Sequence, residues 1–223
     1  MLKRITIICG HYGCGKTNFA LNLALDLADK GEKITLVDLD VVNPYFRSSD
    51  YKAILEEKGI YVIAPCYAGT NVDTPSLSAE IDTVFTKKDR MVIFDVGGDD
   101  AGAFALGRYS GKIMQEPYTF IYLINKYRNL TQTPEQAVEI LTEITKACKL
   151  KPTCIVNNSH LQGETTLETI RQGLSYGEQV SNQLNLPLLC TTVPNNLQNE
   201  LLSENADFYS VKRIVKTPFD NSI

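Results

Sequence analysis

The sequence predicts an α/β protein: a doubly wound, mainly parallel sheet of about seven strands with helices on both faces. Three observations carry this expectation. Short β-branched runs alternate with longer helical patterns along the chain. Most of those runs are continuously apolar, as strands buried on both faces must be. A glycine-rich turn separates the first run from the first helix.

Taken in order, the predicted strands are Arg4 to Cys9, Lys33 to Asp38, Ile60 to Ala64, Met91 to Asp95, Thr119 to Ile124, Thr153 to Asn157 and Leu188 to Val193. The first helix, Lys16 to Lys30, is apolar on most sides and is closed by Gly31, which suits a helix packed between sheet and neighbours. A second begins at Pro134 behind the capping residue Thr133, with Glu135 in its first turn. A third runs from about Thr165 to Leu184, and shorter ones are expected over Asp50 to Lys58 and Leu77 to Lys87. After Val211 no amphipathic helix is evident.

A chain of 223 residues suits one α/β domain and buries roughly 70% or more of its unfolded surface. A sizeable core therefore forms without disulfides or structural metal. The 43% hydrophobic and 22% charged content is that of a globular chain and excludes disorder. No repeat, low-complexity tract or linker interrupts it, so residues 1–223 are read as a single domain.

The net charge is −4, and the basic residues occur at most as pairs such as Lys3-Arg4. Nucleic acid and anionic membrane are therefore not expected as partners. The basic-then-apolar start runs into the glycine-rich turn without a cleavage site, so it reads as a strand and not as a signal peptide. No run reaches the ~18 apolar residues of a membrane span. Six cysteines lack C-x-C or C-x-x-C spacing, which points to reduced thiols and no zinc site. The expected location is the cytoplasm.

The turn itself carries chemistry. Gly10-His11-Tyr12-Gly13-Cys14-Gly15-Lys16-Thr17 fits the pattern G-x-x-x-x-G-K-[ST] directly between a strand and a helix. Glycines let successive backbone N–H groups face a phosphate chain, and the helix N-terminus adds its dipole. Lys16 supplies a point charge to the β and γ phosphates, and the Thr17 hydroxyl can ligate magnesium. Gly10 through Asn18 are the candidate phosphate-binding residues, with Cys14 contributing only its backbone N–H. The competing reading is a glycine-rich turn with an incidental lysine.

Strand ends add carboxylates at Asp38, Asp40 and Asp95, and strand C-termini line the ligand crevice of an open parallel sheet. Asp40 and Asp95 are candidates for magnesium coordination, direct or through water, and for positioning an attacking water. Asp95 can alternatively cap a loop, and Asp38 can serve only as an internal hydrogen-bond partner.

The loop, Asp38-x-Asp40 and Asp95-x-Gly97-Gly98 together resemble the MinD/ParA branch (SIMIBI class) of P-loop ATPases, which includes nitrogenase iron protein, arsenite-transport ATPases and CooC-type metal-insertion ATPases. The resemblance covers most of the chain. It implies that Lys16 and Asp40 are catalytic, that Asp40 positions water, and that Thr17, Asp40 and Asp95 serve magnesium. It further implies that Asp40 to Asp50 and Asp95 to Gly102 are nucleotide-responsive switches. His11 departs from the family pattern, which has a lysine there that crosses a dimer interface; an ATP-dependent homodimer is thereby put in question. His11 is either a variable loop residue or a group that approaches phosphate or a partner.

Base choice is also legible. The guanine motif N-K-x-D is spoiled in Asn125-Lys126-Tyr127-Arg128, where arginine replaces the base-reading carboxylate. Asn157, in Ile155-Val156-Asn157-Asn158, resembles the family's adenine-binding asparagine, and Pro194 resembles the residue packing beside the base. Asn157 and Asn158 alternatively form a polar turn. The cofactors expected are ATP and Mg2+. Asn43-Pro44-Tyr45-Phe46-Arg47 is suited either to a partner or to packing beneath its own loop. Asp99, Asp100 and Arg108 form either a partner surface or a solvated loop.

The expected activity is that of an ATPase switch read by a protein partner. A small-molecule kinase or ligase of the dethiobiotin-synthetase type, and a non-hydrolysing nucleotide sensor, are the alternatives.

Overall fold

The computed structural model describes residues 2–40, 47–65, 77–201 and 203–215. Among the described residues eight strands form one sheet: β1 (Ile5–Cys9), β2 (Ile34–Leu39), β3 (Tyr61–Ile63), β4 (Met91–Val96), β5 (Tyr118–Ile124), β6 (Cys154–Asn157), β7 (Leu188–Pro194) and β8 (Phe208–Val211). Their order is β3-β2-β4-β1-β5-β6-β7-β8. Every ladder is parallel. β1 lies between β4 and β5; β5 to β8 run outward in chain order on one side, while β4, β2 and β3 follow one another on the other, and the ligand crevice of such a sheet opens at its C-terminal end.

The helices are α1 (Lys16–Asp29), α2 (Lys52–Glu57), α3 (Thr83–Thr86), α4 (Asp100–Gly107), α5 (Ser110–Ile113), α6 (Pro134–Cys148) and α7 (Leu167–Leu184). Thr133 and Thr166 cap α6 and α7 with their side chains, each in a capping box. Alternate strand residues feed opposite faces of the sheet. Ile8, Leu36, Ile93 and Leu123 pack with Phe19, Leu21 and Leu23 of α1 on one face. Ile7, Val37 and Phe94 pack with Leu106 of α4 and Ile113 of α5 on the other.

Two features differ from the sequence expectation. The sheet has eight strands and not about seven, because Phe208–Val211 adds an edge strand beyond β7. Four residues flanked by polar segments carry too little periodicity to stand out in the sequence. Asp100–Gly107 is a helix, where the sequence pattern marks no element and leaves Asp99, Asp100 and Arg108 as either a partner surface or a solvated loop. Its sequence, Asp-Ala-Gly-Ala-Phe-Ala-Leu-Gly, contains two glycines and no polar stripe, so no 3.6-residue period announces it. Asp99 caps it, with its Oδ1 accepting from Gly102 N at 2.9 Å. Among the described residues no helix is long and apolar enough to cross a membrane.

The chain after β8 returns across α1. Asn22, 5% exposed, donates from Nδ2 to Lys212 O at 2.9 Å and accepts from Lys212 N at 2.8 Å. Asn18, one turn earlier, donates to Lys212 O at 3.0 Å and accepts from Ile214 N at 2.9 Å and Val215 N at 3.2 Å. Two asparagine side chains thus supply pairing that a further strand would otherwise supply. Asn22→Ala removes two of the three side-chain bonds to the Lys212 backbone, leaving Asn18 on Lys212 O, and is expected to lower stability by about 1–3 kcal/mol. Urea denaturation is the check, and an unchanged midpoint would show that the clamp contributes nothing.

Candidate functional site

The loop joining β1 to α1 is fixed by close contacts that only glycine permits. A Cβ on Gly10 would sit 2.3 Å from Leu123 O of β5. Gly15, the residue preceding α1, is left-handed at φ 95°, and a Cβ there would meet Asn158 Nδ2 at 2.3 Å. That same Nδ2 donates to Cys14 O at 2.7 Å, tying the loop to the end of β6. Lys16 is buried and donates from Nζ to His11 O at 3.1 Å. α1 starts with no side-chain cap and no acidic residue in its first turn. Its leading N–H groups and the positive end of its dipole therefore remain available to an anion.

Three carboxylates face this loop from the strand ends. Asp38 is fully buried and pairs in register with Asp95 of β4. Its Oδ1 accepts from Asp40 N at 3.0 Å and its Oδ2 from Ser49 N at 3.1 Å, so it anchors both ends of the segment spanning 40–49. Of the two readings open for Asp38, this is the internal one. Asp95 is also buried, yet neither of its oxygens has a partner in hydrogen-bond geometry among the described residues. Burial pushes its carboxyl up to about 7; the Asp38 charge adds to this, while Lys16 and the nearby Thr17 hydroxyl oppose it. A buried carboxylate without a partner is costly to ionise, and a divalent cation relieves that cost. Asp95 with Thr17 therefore fits magnesium, which binds through one or two carboxylates and completes its shell with phosphate and water oxygens.

The glycines after β4 press on the loop. A Cβ on Gly98 would meet Tyr12 Cα at 2.6 Å and Lys16 Nζ at 2.7 Å, and one on Gly102 of α4 would meet Gly97 Cα at 2.6 Å. Asp40 Oδ1 lies 3.3 Å from the corresponding position on Gly97.

A cavity of about 620 Å³ opens over these elements. Residues 12–18, Asp40 and Gly98 form one part, and Arg128, Asn158 and His160 another. Pro194 to Asn196 and the returning segment Val211 to Arg213 complete the wall. Of the sequence candidates, Tyr12, Gly13, Cys14, Gly15, Lys16, Thr17, Asn18, Asp40 and Pro194 line it directly. Gly10 and His11 support the loop, and Asp95 lies buried beneath it. His11 is partly exposed, and burial and the Lys16 charge lower its pKa.

Asn157 is not brought to the cavity. It is fully buried, donates to Gly173 O at 3.0 Å and Thr191 Oγ1 at 3.1 Å, and accepts from Ser159. Its neighbour Asn158 lines the wall instead. Asn43, Pro44, Tyr45 and Phe46 lie outside the described residues, whereas Arg47 is buried and its N donates to Asp50 Oδ2 at 3.0 Å.

Similarity to known proteins agrees with this geometry. The CobQ/CobB/MinD/ParA nucleotide binding domain family matches residues 5–205. The chain belongs to that family. Among curated proteins none matches it. Among solved structures it is similar to cell division protein FtsY from Thermotoga maritima, with 18% identity and a TM-score of 0.55 over 85% of this chain and 61% of that one. The signal recognition particle receptor FtsY from Elizabethkingia anophelis, in complex with GDP, gives 17% identity and a TM-score of 0.54 over 85% of this chain and 57% of that one. The signal recognition particle 54 kDa protein from Aeropyrum pernix K1, also with GDP, gives 16% and 0.56 over 84% of this chain and 40% of that one. This member of the family thus spans about three fifths or less of the length of these neighbours. It shares with them a mainly parallel α/β P-loop fold.

The cavity contains one histidine that sequence reasoning did not single out. His160 Nδ1 accepts from Gln162 N at 3.3 Å, so its Nε2 donates to Asn158 Oδ1 at 3.0 Å. A lone histidine three residues past a strand carries no motif, and only the tertiary contact reveals it. Burial, aided by the Arg128 charge, lowers its pKa to about 4. The folded state therefore holds fewer protons than the unfolded state between that value and the ordinary 6.5, and stability falls as pH drops through this window. Between about pH 7.5 and about pH 5 the protein is expected to lose ~2 kcal/mol more than His160→Gln. Unfolding profiles of the two that run parallel with pH would contradict this.

Proposed function

We propose that this domain is a magnesium-dependent ATPase acting in the cytoplasm as a nucleotide-controlled switch for a protein partner. The observation that carries the reading is Asp95: a buried carboxylate with no partner in full hydrogen-bond geometry among the described residues and the Thr17 hydroxyl beside it, at the root of a phosphate loop whose helix N-terminus is uncapped. Magnesium, when bound, neutralises charge on the β and γ phosphates. Thr17 and Asp95, with Asp40 nearby, are the residues that would hold it. Lys16 and the loop N–H groups stabilise charge developing on the transferred phosphoryl group.

Asp40 is the candidate water-positioning base. It lines the cavity, and its backbone N–H is held by Asp38. The close approach of Gly98 to Tyr12 and Lys16 supports the switch role, because a group entering beside Lys16 meets a segment with no slack. That segment leads directly into α4, whose Phe104 is 62% exposed and offers a partner an apolar anchor.

ATP over GTP is supported by Arg128, a cation at the position where guanine recognition needs a carboxylate. The solved neighbours carrying GDP are 16–17% identical, a likeness that bears on fold alone. In direct competition ATP is expected to displace a labelled nucleotide at lower concentration than GTP, and equal or tighter GTP binding would reverse the base assignment.

Asp40→Asn tests the chemistry separately from binding. It keeps size and part of the hydrogen bonding but removes the negative charge that accepts a proton from water. Phosphate release is expected to fall about 100-fold or more, while ATP affinity holds or rises as one repelling carboxylate is lost. Turnover at the wild-type rate would show that Asp40 does not position the water and would pass the role to Asp38 or to a group supplied by a partner.

A further inference from the structure

We infer that Arg128 is a phosphate-contacting residue supplied from the chain's own β5–α6 connection. The inference rests on the nucleotide reading above and assigns Arg128 a positive role beyond the absence of the guanine-reading carboxylate at its position. Its side chain reaches back over the phosphate loop: a Cβ placed on Gly13 would meet Arg128 Cδ and Nε at 3.7 Å and Cζ at 4.0 Å. The residue lines the cavity. Its Nε is buried and without a hydrogen-bond partner among the described residues. A buried guanidinium N–H left unpaired carries a desolvation cost that an anion in the cavity would relieve.

The backbone around it is fixed, so the reach is built and not incidental. Asn125 Oδ1 accepts from Tyr127 N at 2.9 Å, Arg128 N donates to Asn125 O at 3.3 Å, and Lys126 N donates to Ser159 Oγ at 2.9 Å. Thr131 returns to Arg128 O at 3.2 Å through its N–H and to Asn125 O at 2.8 Å through its hydroxyl.

Charge balance points the same way. Asp38, Asp40 and Asp95 approach the phosphate loop, while Lys16 is the cation rooted within it. A polyphosphate adds about four negative charges, so a second fixed cation on the loop reduces the repulsion that binding must overcome. Arginine suits this position because its planar fork pairs with two phosphate oxygens, whereas lysine presents a single point charge.

The test uses the full chain with magnesium and titrates ATP, GTP and inorganic tripolyphosphate, which has phosphates but no base. Arg128→Met and Arg128→Gln are compared with Arg128→Lys, each checked for a cooperative thermal transition so that one neutral variant suffices if the other does not fold. The neutral variants are expected to bind all three ligands about tenfold or more weaker, with the ATP-to-GTP ratio unchanged and the lysine variant recovering part of the loss. Wild-type affinity for tripolyphosphate in a folded neutral variant overturns the inference. So does a loss confined to the ATP-to-GTP ratio, which would make Arg128 a base-reading residue. Failure of the wild-type chain to bind any of the three ligands would instead remove the nucleotide reading itself.

Discussion

The loop between β1 and α1 is enclosed on three sides by atoms that leave no room for a side chain: Leu123 O against Gly10, Asn158 Nδ2 against Gly15, and Gly98 against Tyr12 and Lys16. The remaining elements are arranged around this constraint. β5 must run beside β1 for its carbonyl to meet Gly10, and β6 must run beside β5 for Asn158 to reach Cys14 O. α1 must begin at Lys16 because Gly15 turns the chain through a left-handed conformation. The parallel order of the central strands thus provides the one surface on which a phosphate loop of this shape can rest.

That surface carries an electrostatic cost in the free protein. Asp38 meets its share by accepting two backbone N–H groups, and burial still raises its pKa. Asp95 has no such relief, and its raised pKa follows. Lys16 lowers the energy of both Asp95 and the loop but spends one donor on His11 O. The site is therefore built for a charge distribution that it does not itself contain: a cation beside Asp95 and an anion beside Lys16 and the α1 N-terminus. Preorganisation of this kind makes binding favourable because the cost of assembling the charges is met during folding and not on association.

Much of this was legible in the sequence, for physical reasons. Seven strands announced themselves because doubly buried parallel strands are short, largely apolar runs rich in β-branched residues, as Ile5–Cys9 and Met91–Val96 are. The phosphate loop announced itself because backbone curvature and charge demand particular residues at fixed spacing. What escaped was whatever depends on tertiary contact without a local signature. β8 is four residues long and is held by its neighbour β7, by Tyr209 bonded to Asp26, and by the asparagine clamp of α1. α4 has no amphipathic stripe because its buried positions are mostly small, its exposed ones include the apolar Phe104, and Gly107 allows close approach to Ala147 O of α6. Two adjacent asparagines at a strand end are equivalent in sequence. Only the strand's register decides that Asn157 turns into α7 and β7 while Asn158 turns toward the loop.

The asparagine clamp links the two ends of the cavity. Asn18 follows Thr17 directly, so the residue after the candidate magnesium ligand holds Lys212, Ile214 and Val215 through its side chain. Asn22 repeats the contact one turn further along the same face of α1, as a four-residue spacing requires. The segment held in this way lines the same cavity as Arg128 and His160 and brings Lys212 and Arg213 to it. α1 is a 14-residue helix with most of its first half buried, so it moves as a rigid element. The phosphate loop that leads into α1 and the returning segment 212–215 are thereby referred to one helix, through Asn18 and Asn22, and not to two independent loops.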